Sequence, residues 1–83
     1  MMAHFFFDTS IDGSPMRDAE GLEYASVARA YRDARRSLVA LVAEALGQNA
    51  HHDAHHCAIT MRDSSGKIVA HFSADLWEES GTG

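Results

Sequence analysis

The chain has little of what stabilises small secreted proteins or anchors membrane proteins. Its 83 residues include one cysteine and one proline. A lone thiol, that of Cys57, cannot form an internal disulfide, which excludes a disulfide-stapled domain and favours a reducing compartment. No apolar run approaches the roughly 20 residues that cross a bilayer, so we expect no membrane partner. The N-terminal residues lack the basic start and long apolar stretch of a signal peptide, and we expect a cytoplasmic protein.

Basic residues are also scarce. Seven lysines and arginines stand against twelve aspartates and glutamates, for a formal net charge of −5 at pH 7. A sequence-independent DNA-binding protein needs positive surface, so this balance argues against DNA as a partner. Histidine is plentiful by contrast, with six residues. The length predicts a single small domain over residues 1–83, with an ordered core over about residues 4–77 and a flexible tail over residues 78–83.

Hydrophobic patterning predicts strands on both sides of one long helix. The aromatic run His4–Asp8 is typical of a buried strand, and Pro15–Arg17 fits a short edge strand. Apolar residues at helical spacing over Val27–Leu46 predict an amphipathic helix that a serine caps. Alternating side chains over Cys57–Arg62 and Lys67–Ser73 predict a closing hairpin. The expected fold is α+β: a three- to four-stranded antiparallel sheet in the order β-(β)-α-β-β, with the helix packed on one face.

Turn residues predict where these elements end. We expect Gly47 to stop the helix in a left-handed conformation and residues 48–56 to form a polar connector. A turn at Asp63–Gly66, with positive φ at its glycine, is expected to join the hairpin strands. The chain is expected to finish in a turn at Asp75–Trp77. Three residues of the return strand are expected to share one face: Ile68, Ala70 and Phe72.

Four pieces of this sequence occur together in one known family. They are the aromatic opening strand, the Asp-x-Glu-Gly turn and Leu/Glu pair at Asp18–Glu23, the Ala- and Arg-rich helix, and the hairpin turn at Asp63–Lys67. In this order they resemble a family of small bacterial proteins, mostly alphaproteobacterial, catalogued as domain of unknown function 6894. The resemblance covers roughly residues 4–76 and carries over no biochemical activity. The histidine-rich stretch departs from the family pattern, so the resemblance implies no family-wide metal site.

That stretch holds six candidate metal ligands within seven residues: His51, His52, Asp53, His55, His56 and Cys57. The four histidines are the leading ligands, since two pairs at i,i+4 would each grip a metal if the chain were helical there. Imidazole and thiolate suit zinc or nickel. A polar connector does not fix ligands in place, so we favour a solvated loop and expect no cofactor. As a further alternative, these histidines sense pH: in mild acid they become protonated, repel one another, and loosen the connector or change an interface.

The predicted helix also carries a basic stripe. Arg29, Arg32 and Arg36 follow one another at i, i+3 and i+7 and therefore share a face that suits an anion or RNA. Asp33 lies four residues after Arg29 and is placed to pair with it. No aromatic residue of the stripe offers a surface for stacking a base. A solvated helix face is therefore the simpler interpretation.

The aromatic side chains are more than one helix can cover. We expect Phe6 on the open face of the sheet and Trp77 at an edge of the core, and we predict both at a homodimer interface. The dimer would form through the open face or by pairing of edge strands. The alternative is that loop 9–21 and the C-terminal turn fold over that face.

No arrangement of nucleophile and base supports catalysis, so we expect a protein that is not an enzyme. The leading hypothesis is a non-enzymatic binding or interaction module that acts as a homodimer. The first alternative is a metal-binding or metal-responsive protein that uses the histidine-rich loop 51–57. The second is a regulatory partner that binds RNA or a toxin, an idea that rests on analogy with other small domains.

Overall fold

The computed structural model describes residues 2–48 and 54–77, with the backbone alone at residues 48, 54, 55 and 77. These residues form five strands and one helix. In chain order the elements are β1 (Ala3–Ile11), β2 (Ser14–Met16), β3 (Leu22–Tyr24), α1 (Val27–Gln48), β4 (Ala54–Asp63) and β5 (Ile68–Trp77). The predicted α+β fold is confirmed, with one more short strand before the helix than expected.

The sheet is antiparallel throughout and is built on β1 and β4. Its strand order is β2-β1-β4-β5, and β3 also pairs with β1. Because β2 pairs with the end of β1 and β3 with its beginning, the two short strands form one interrupted edge. A two-residue turn at Asp12 and Gly13, both with positive φ, joins β1 to β2, as tight hairpins require. In the described part of the sheet, β5 is the opposite edge.

Helix α1 begins where the sequence predicts and ends later. The Ser26 hydroxyl accepts a hydrogen bond from the Arg29 amide at 3.3 Å, which confirms the predicted cap. The helix continues through Gly47 to Gln48, and the φ of Gly47 is not positive. The predicted stop at Gly47 is wrong, because one glycine costs a helix only about 1 kcal/mol relative to alanine.

The core lies between α1 and one face of the sheet. The helix contributes small side chains, which let it approach the strands closely: Ala30, Ala34 and Ala45, all fully buried. The strands contribute larger ones: Phe5, Cys57, Ile59 and Met61. The last three alternate along β4, as the sequence pattern predicts for residues on one face.

An irregularity in β5 alters which of its side chains face the core. Met61 lies opposite Ala70 and Arg62 opposite Ile68, so Val69 is an extra residue in the pairing. Such a bulge interrupts the alternation of side chains. Ile68 consequently falls on the face of Arg62, where it is 61% exposed. The prediction that Ile68 shares a face with Ala70 is therefore wrong.

Both strands of the closing hairpin are longer than predicted. β4 begins at Ala54, so His55 and His56 lie in a strand rather than in the predicted connector or on a resumed helix. Residues 75–77 continue β5 and do not form the predicted turn. The reason is cross-strand pairing: His56 lies opposite Asp75, and the ladder runs on to Ala54 and Trp77. In the described ranges, no helix is both long and apolar enough to cross a membrane.

Candidate functional site

A cleft of about 200 Å³ lies between the first turns of α1 and strand β3. Its lining residues are Tyr24, Arg29, Arg32, Asp33 and Arg36. The structure thus brings the three arginines of the predicted basic stripe to one place. It adds a tyrosine that the sequence analysis missed, because Tyr24 precedes the helix and reaches the cleft from another element.

The three guanidinium groups of the cleft have no hydrogen-bond or ion-pair partner among the residues that the structure describes. Within residues 2–48 and 54–77, none of them forms a side-chain hydrogen bond or an ion pair. Asp33, the predicted partner of Arg29, instead accepts a hydrogen bond from the Tyr24 hydroxyl at 2.9 Å. The expected pairing fails because Tyr24 reaches this carboxylate from β3.

Tyr24 forms a fixed wall of the cleft. Burial, together with the hydrogen bond to Asp33, raises the pKa of Tyr24 to about 12, so its hydroxyl stays protonated at neutral pH. Its ring meets the ring of Phe7 edge-on, with centroids 5.8 Å apart, and that of Phe5 at 6.3 Å. The hydroxyl and the ring are therefore both engaged within the chain, and the arginines remain as the groups that face a ligand.

The cleft places positive charge where a helix tolerates it least. The N-terminal end of a helix carries partial positive charge, which acidic residues stabilise and basic residues oppose. The first turn of α1 has no acidic residue and contains Arg29. Arg32 follows in the next turn, although the chain as a whole has a net charge of −5. Such a local departure from helix-stabilising sequence is typical of a site that binds an anion.

The cleft is one end of a longer groove that runs between α1 and the β2–β3 edge. The adjoining space, of about 390 Å³, shares Tyr24, Asp33 and Arg36 with the cleft and has Phe7 and Leu22 in its walls. The groove stays open because α1 lies mainly over β4 and β5 and does not contact β2. Its floor is therefore aromatic and aliphatic, whereas its entrance is basic.

The far end of the groove is apolar. A space of about 500 Å³ lies between the β1–β2 hairpin and the C-terminal part of α1, and Thr9 lines both this space and the preceding one. Met16 of β2, which is 72% exposed, and Leu41 of α1 are among its walls. We call the whole surface from Arg29 to Met16 the edge groove.

The turn that separates β2 from β3 positions one wall of the edge groove. The Asp18 carboxylate accepts hydrogen bonds from the amides of Phe7 at 3.0 Å, Glu20 at 3.1 Å and Gly21 at 3.0 Å. It thus occupies the gap on β1 where neither short strand pairs. Arg62 donates to the carbonyl of Asp18 at 3.0 Å, which ties the turn to β4.

Arg62 also pairs with a second carboxylate beside that turn. Its Nε and Nη2 atoms donate to the two oxygens of Asp8 at 2.6 and 3.1 Å. The hydrogen bond from Arg62 lowers the pKa of Asp8, and the amide of Asp18, which donates to the same carboxylate at 2.9 Å, adds to the effect. The carboxylates of Asp8 and Asp18 therefore hold the turn against β1 and β4.

The structure describes only some of the predicted metal ligands. Three of them lie outside the described residues: His51, His52 and Asp53. Neighbouring His56 and Cys57 point to opposite faces of β4: Nδ1 of His56 meets the Asp75 carboxylate at 2.5 Å, and Cys57 is buried beneath the helix. In the part of the chain that the structure describes, no three His, Cys, Asp or Glu side chains cluster to hold a metal. A site at the four histidines, including His55, stays a prediction.

We expect Cys57 to be unreactive in the folded protein. Burial raises the pKa of its thiol, and the charge of Asp12 adds to the effect, so little of the nucleophilic thiolate forms. Alkylation by iodoacetamide at pH 8 should proceed only as fast as the protein unfolds and should be complete in denaturant. Mass spectrometry of timed samples measures this. Rapid alkylation of the native protein would contradict the buried position.

Phe6 lies on the open face of the sheet, as predicted, but it is covered from within the chain. The Arg62 guanidinium lies 4.9 Å from its ring centroid, and the His4 ring lies at the same distance. This face also carries Thr60, which is hydrogen-bonded to His71, and the exposed Ile68. Trp77 is the last residue of β5. The roles of Phe6 and Trp77 in an interface stay predictions.

Fold and groove together define a class: a small α+β protein with one helix across an antiparallel sheet and a basic cleft beside the helix start. The chain belongs to the family described as Domain of unknown function (DUF6894), whose family model matches residues 4–75. The resemblance noted in the sequence is thereby confirmed. No curated protein and no solved structure matches the chain.

Proposed function

We propose that the protein is a non-enzymatic cytoplasmic binding module, a homodimer whose edge groove holds an extended acidic segment of a protein partner. The observation that carries the groove's role is the set of three unpaired guanidinium groups at the entrance of an apolar groove. Arg29, Arg32 and Arg36 suit carboxylates, because a guanidinium donates two parallel hydrogen bonds to a carboxylate. The floor at Phe7 and Leu22 suits apolar side chains of the same segment.

An acidic peptide fits the groove better than RNA does. Single-stranded RNA is held by aromatic rings that stack on its bases, and the ring of Tyr24 already packs on Phe5 and Phe7. A peptide, by contrast, gains from apolar contacts along the groove.

We expect reversal of one charge in the cleft to abolish most peptide binding. The probe is a short fluorescein-labelled peptide of alternating glutamate and leucine, followed by fluorescence anisotropy at low salt. Arg32→Glu should weaken binding at least about tenfold, because it removes one partner of a charge pair and repels the other. A peptide with serine in place of leucine should also bind more weakly, since it loses the apolar contacts.

The matched control is Arg35→Glu, which makes the same charge change on the same helix. Arg35 lies over the Phe72 ring, 5.9 Å from its centroid, on the side of α1 away from the cleft. The Arg35→Glu variant should therefore bind the peptide with an affinity within about twofold of that of the unmodified protein. If Arg32→Glu and Arg35→Glu lower peptide affinity equally, the effect comes from net charge alone and the proposed binding site is wrong. A single-stranded RNA of equal charge is tested beside the peptide. If the RNA binds more tightly than the peptide, and Arg32→Glu abolishes that binding, the ligand of the groove is RNA and not an acidic peptide.

A further inference from the structure

We propose that β5 pairs with β5 of a second copy across a two-fold axis. The two sheets then become one continuous sheet, and the two α1 helices pack side by side on it. This inference names the interface of the homodimer in the proposed function, on which it rests, and it does not depend on what the edge groove binds.

Beyond the bulge at Val69, near its start, strand β5 has few of the features that protect edge strands from pairing. Proline, breaks and charged side chains normally block a free edge. The β2–β3 edge is protected in this way, by Pro15 and by the gap at Asp18. β5 runs ten residues without proline or glycine and has a single charged residue, Asp75, whose carboxylate already meets His56. Among the described residues, β5 pairs only with β4.

An exposed apolar strip of the helix lies above the same edge. Tyr31 meets Phe72 of β5 edge-on at 6.1 Å, and Arg35 lies over the same ring, which fixes the flank of α1 that faces β5. Val39 and Leu46 follow Arg35 by four and eleven residues and so continue that flank. Val39 is 70% exposed and Leu46 is 51% exposed. An aliphatic strip with this exposure favours burial against another apolar surface.

Strand pairing and helix packing are compatible in one geometry. Paired strands lie about 4.8 Å apart, and α1 lies over β4 and β5. A two-fold axis beside β5 therefore turns the flanks of the two helices on the β5 side toward each other. The two helices run antiparallel across that axis, so the flank that carries Val39 and Leu46 packs against the same flank of the second copy, and one self-complementary interface holds both contacts.

The charges of β5 select a register. Residues that lie opposite each other in an antiparallel pair share a face, so the two-fold axis passes through one residue position. With Ser73 at that position, His71 lies opposite Asp75 of the second copy, and no like charges meet. Thr60 engages Nδ1 of His71 at 2.9 Å, and Nε2 has no partner among residues that the structure describes. The imidazole thus has a nitrogen for the second copy's carboxylate.

The first test is the mass in solution. Light scattering at high micromolar concentration should give twice the mass of the chain. Val39→Glu should raise the dimer dissociation constant at least about tenfold, because it places a charge on the apolar flank of both helices. Met16→Glu is the matched control, since Met16 is 72% exposed on the opposite edge and should leave the mass unchanged. Circular dichroism should show both variants folded, because each site is exposed.

Cross-linking tests the register. Opposed Cα atoms in an antiparallel pair are about 4.5–5.5 Å apart, within the range of a disulfide. Ser73→Cys should form a covalent dimer on mild oxidation, whereas Ser65→Cys, exposed in the β4–β5 turn, should not. A monomer would overturn the homodimer while leaving the groove test unaffected. A dimer that withstands Val39→Glu and does not cross-link through residue 73 would overturn the β5 interface alone.

Discussion

Replacing Gly21 by alanine is expected to lower the free energy of unfolding by about 3 kcal/mol or more. Gly21 has a φ of +67°, a left-handed conformation that costs other residues about 1–2 kcal/mol. A Cβ there would also lie 2.6 Å from Nε2 of His4 and 2.6 Å from the carbonyl oxygen of Phe5. That oxygen belongs to β1, which is paired on both sides and cannot retreat. Urea denaturation followed by circular dichroism measures the loss.

Gly13→Ala separates the two contributions. Gly13 has a φ of +83°, and no atom lies within 4 Å of the position of its Cβ. This variant should lose only the conformational part, about 1 kcal/mol. Adding His4→Ala to the Gly21 variant should recover part of the loss, since the Phe5 oxygen remains in the way. If the two glycine variants lose the same free energy of unfolding, the contacts of a Cβ at position 21 with His4 and Phe5 cost no stability.

The elements that the sequence predicts well are those with local causes. The helix start follows from Ser26 and from apolar spacing within one segment. The hairpin turn at Asp63–Gly66 is confirmed, with a φ of +89° at Gly66, because the carboxylate of Asp63 accepts from the amides of Ser65 and Lys67 in the same turn. Each of these signals needs only residues a few positions apart, so one sequence suffices to find it.

The elements that it misses depend on distant partners. β3 has three residues and forms because Tyr24 lies opposite Ala3 and Leu22 opposite Phe5, which no local pattern records. The bulge at Val69 follows from the register between β4 and β5. The same register places residues 54–56 in a strand, although their polar composition predicts a connector.

The same distinction between local and distant causes applies to the candidate site. Helical periodicity alone places Arg29, Arg32 and Arg36 on one face. It does not show that Tyr24 takes the carboxylate of Asp33 and leaves the arginines unpaired. Nor does it show the apolar part of the groove, which exists because α1 lies mainly over β4 and β5 and leaves β2 uncovered. The groove is thus a property of helix placement, and the charge at its entrance is a property of sequence.

Asp18→Asn is expected to lower the free energy of unfolding by about 2–3 kcal/mol at pH 7. The carboxylate of Asp18 accepts from three backbone amides, and Oδ2 alone satisfies the amide of Phe7 in the gap of the β1 edge. In the variant, an NH2 group replaces one oxygen, so either Phe7 or the turn amides lose their acceptor. An unsatisfied, part-buried amide costs about 1–3 kcal/mol, and the lost charge adds to it. The turn also positions Leu22 of the edge groove, so peptide binding should weaken as well.

The pH dependence of this difference identifies its cause. Burial alone would raise the pKa of Asp18, but hydrogen bonds from the amides of Phe7, Gly21 and Glu20 outweigh it and hold the pKa below its ordinary value. A carboxyl group whose pKa is lowered by folding contributes stability above its unfolded pKa of about 3.9, and that contribution disappears as pH falls through the folded pKa. The unmodified protein should therefore lose more stability than the variant below about pH 4, and the two curves should converge. Glu20→Gln, an exposed neighbour, should change stability by less than about 0.5 kcal/mol at any pH. A constant difference between Asp18→Asn and the unmodified protein down to acid pH would assign the loss to shape rather than to charge.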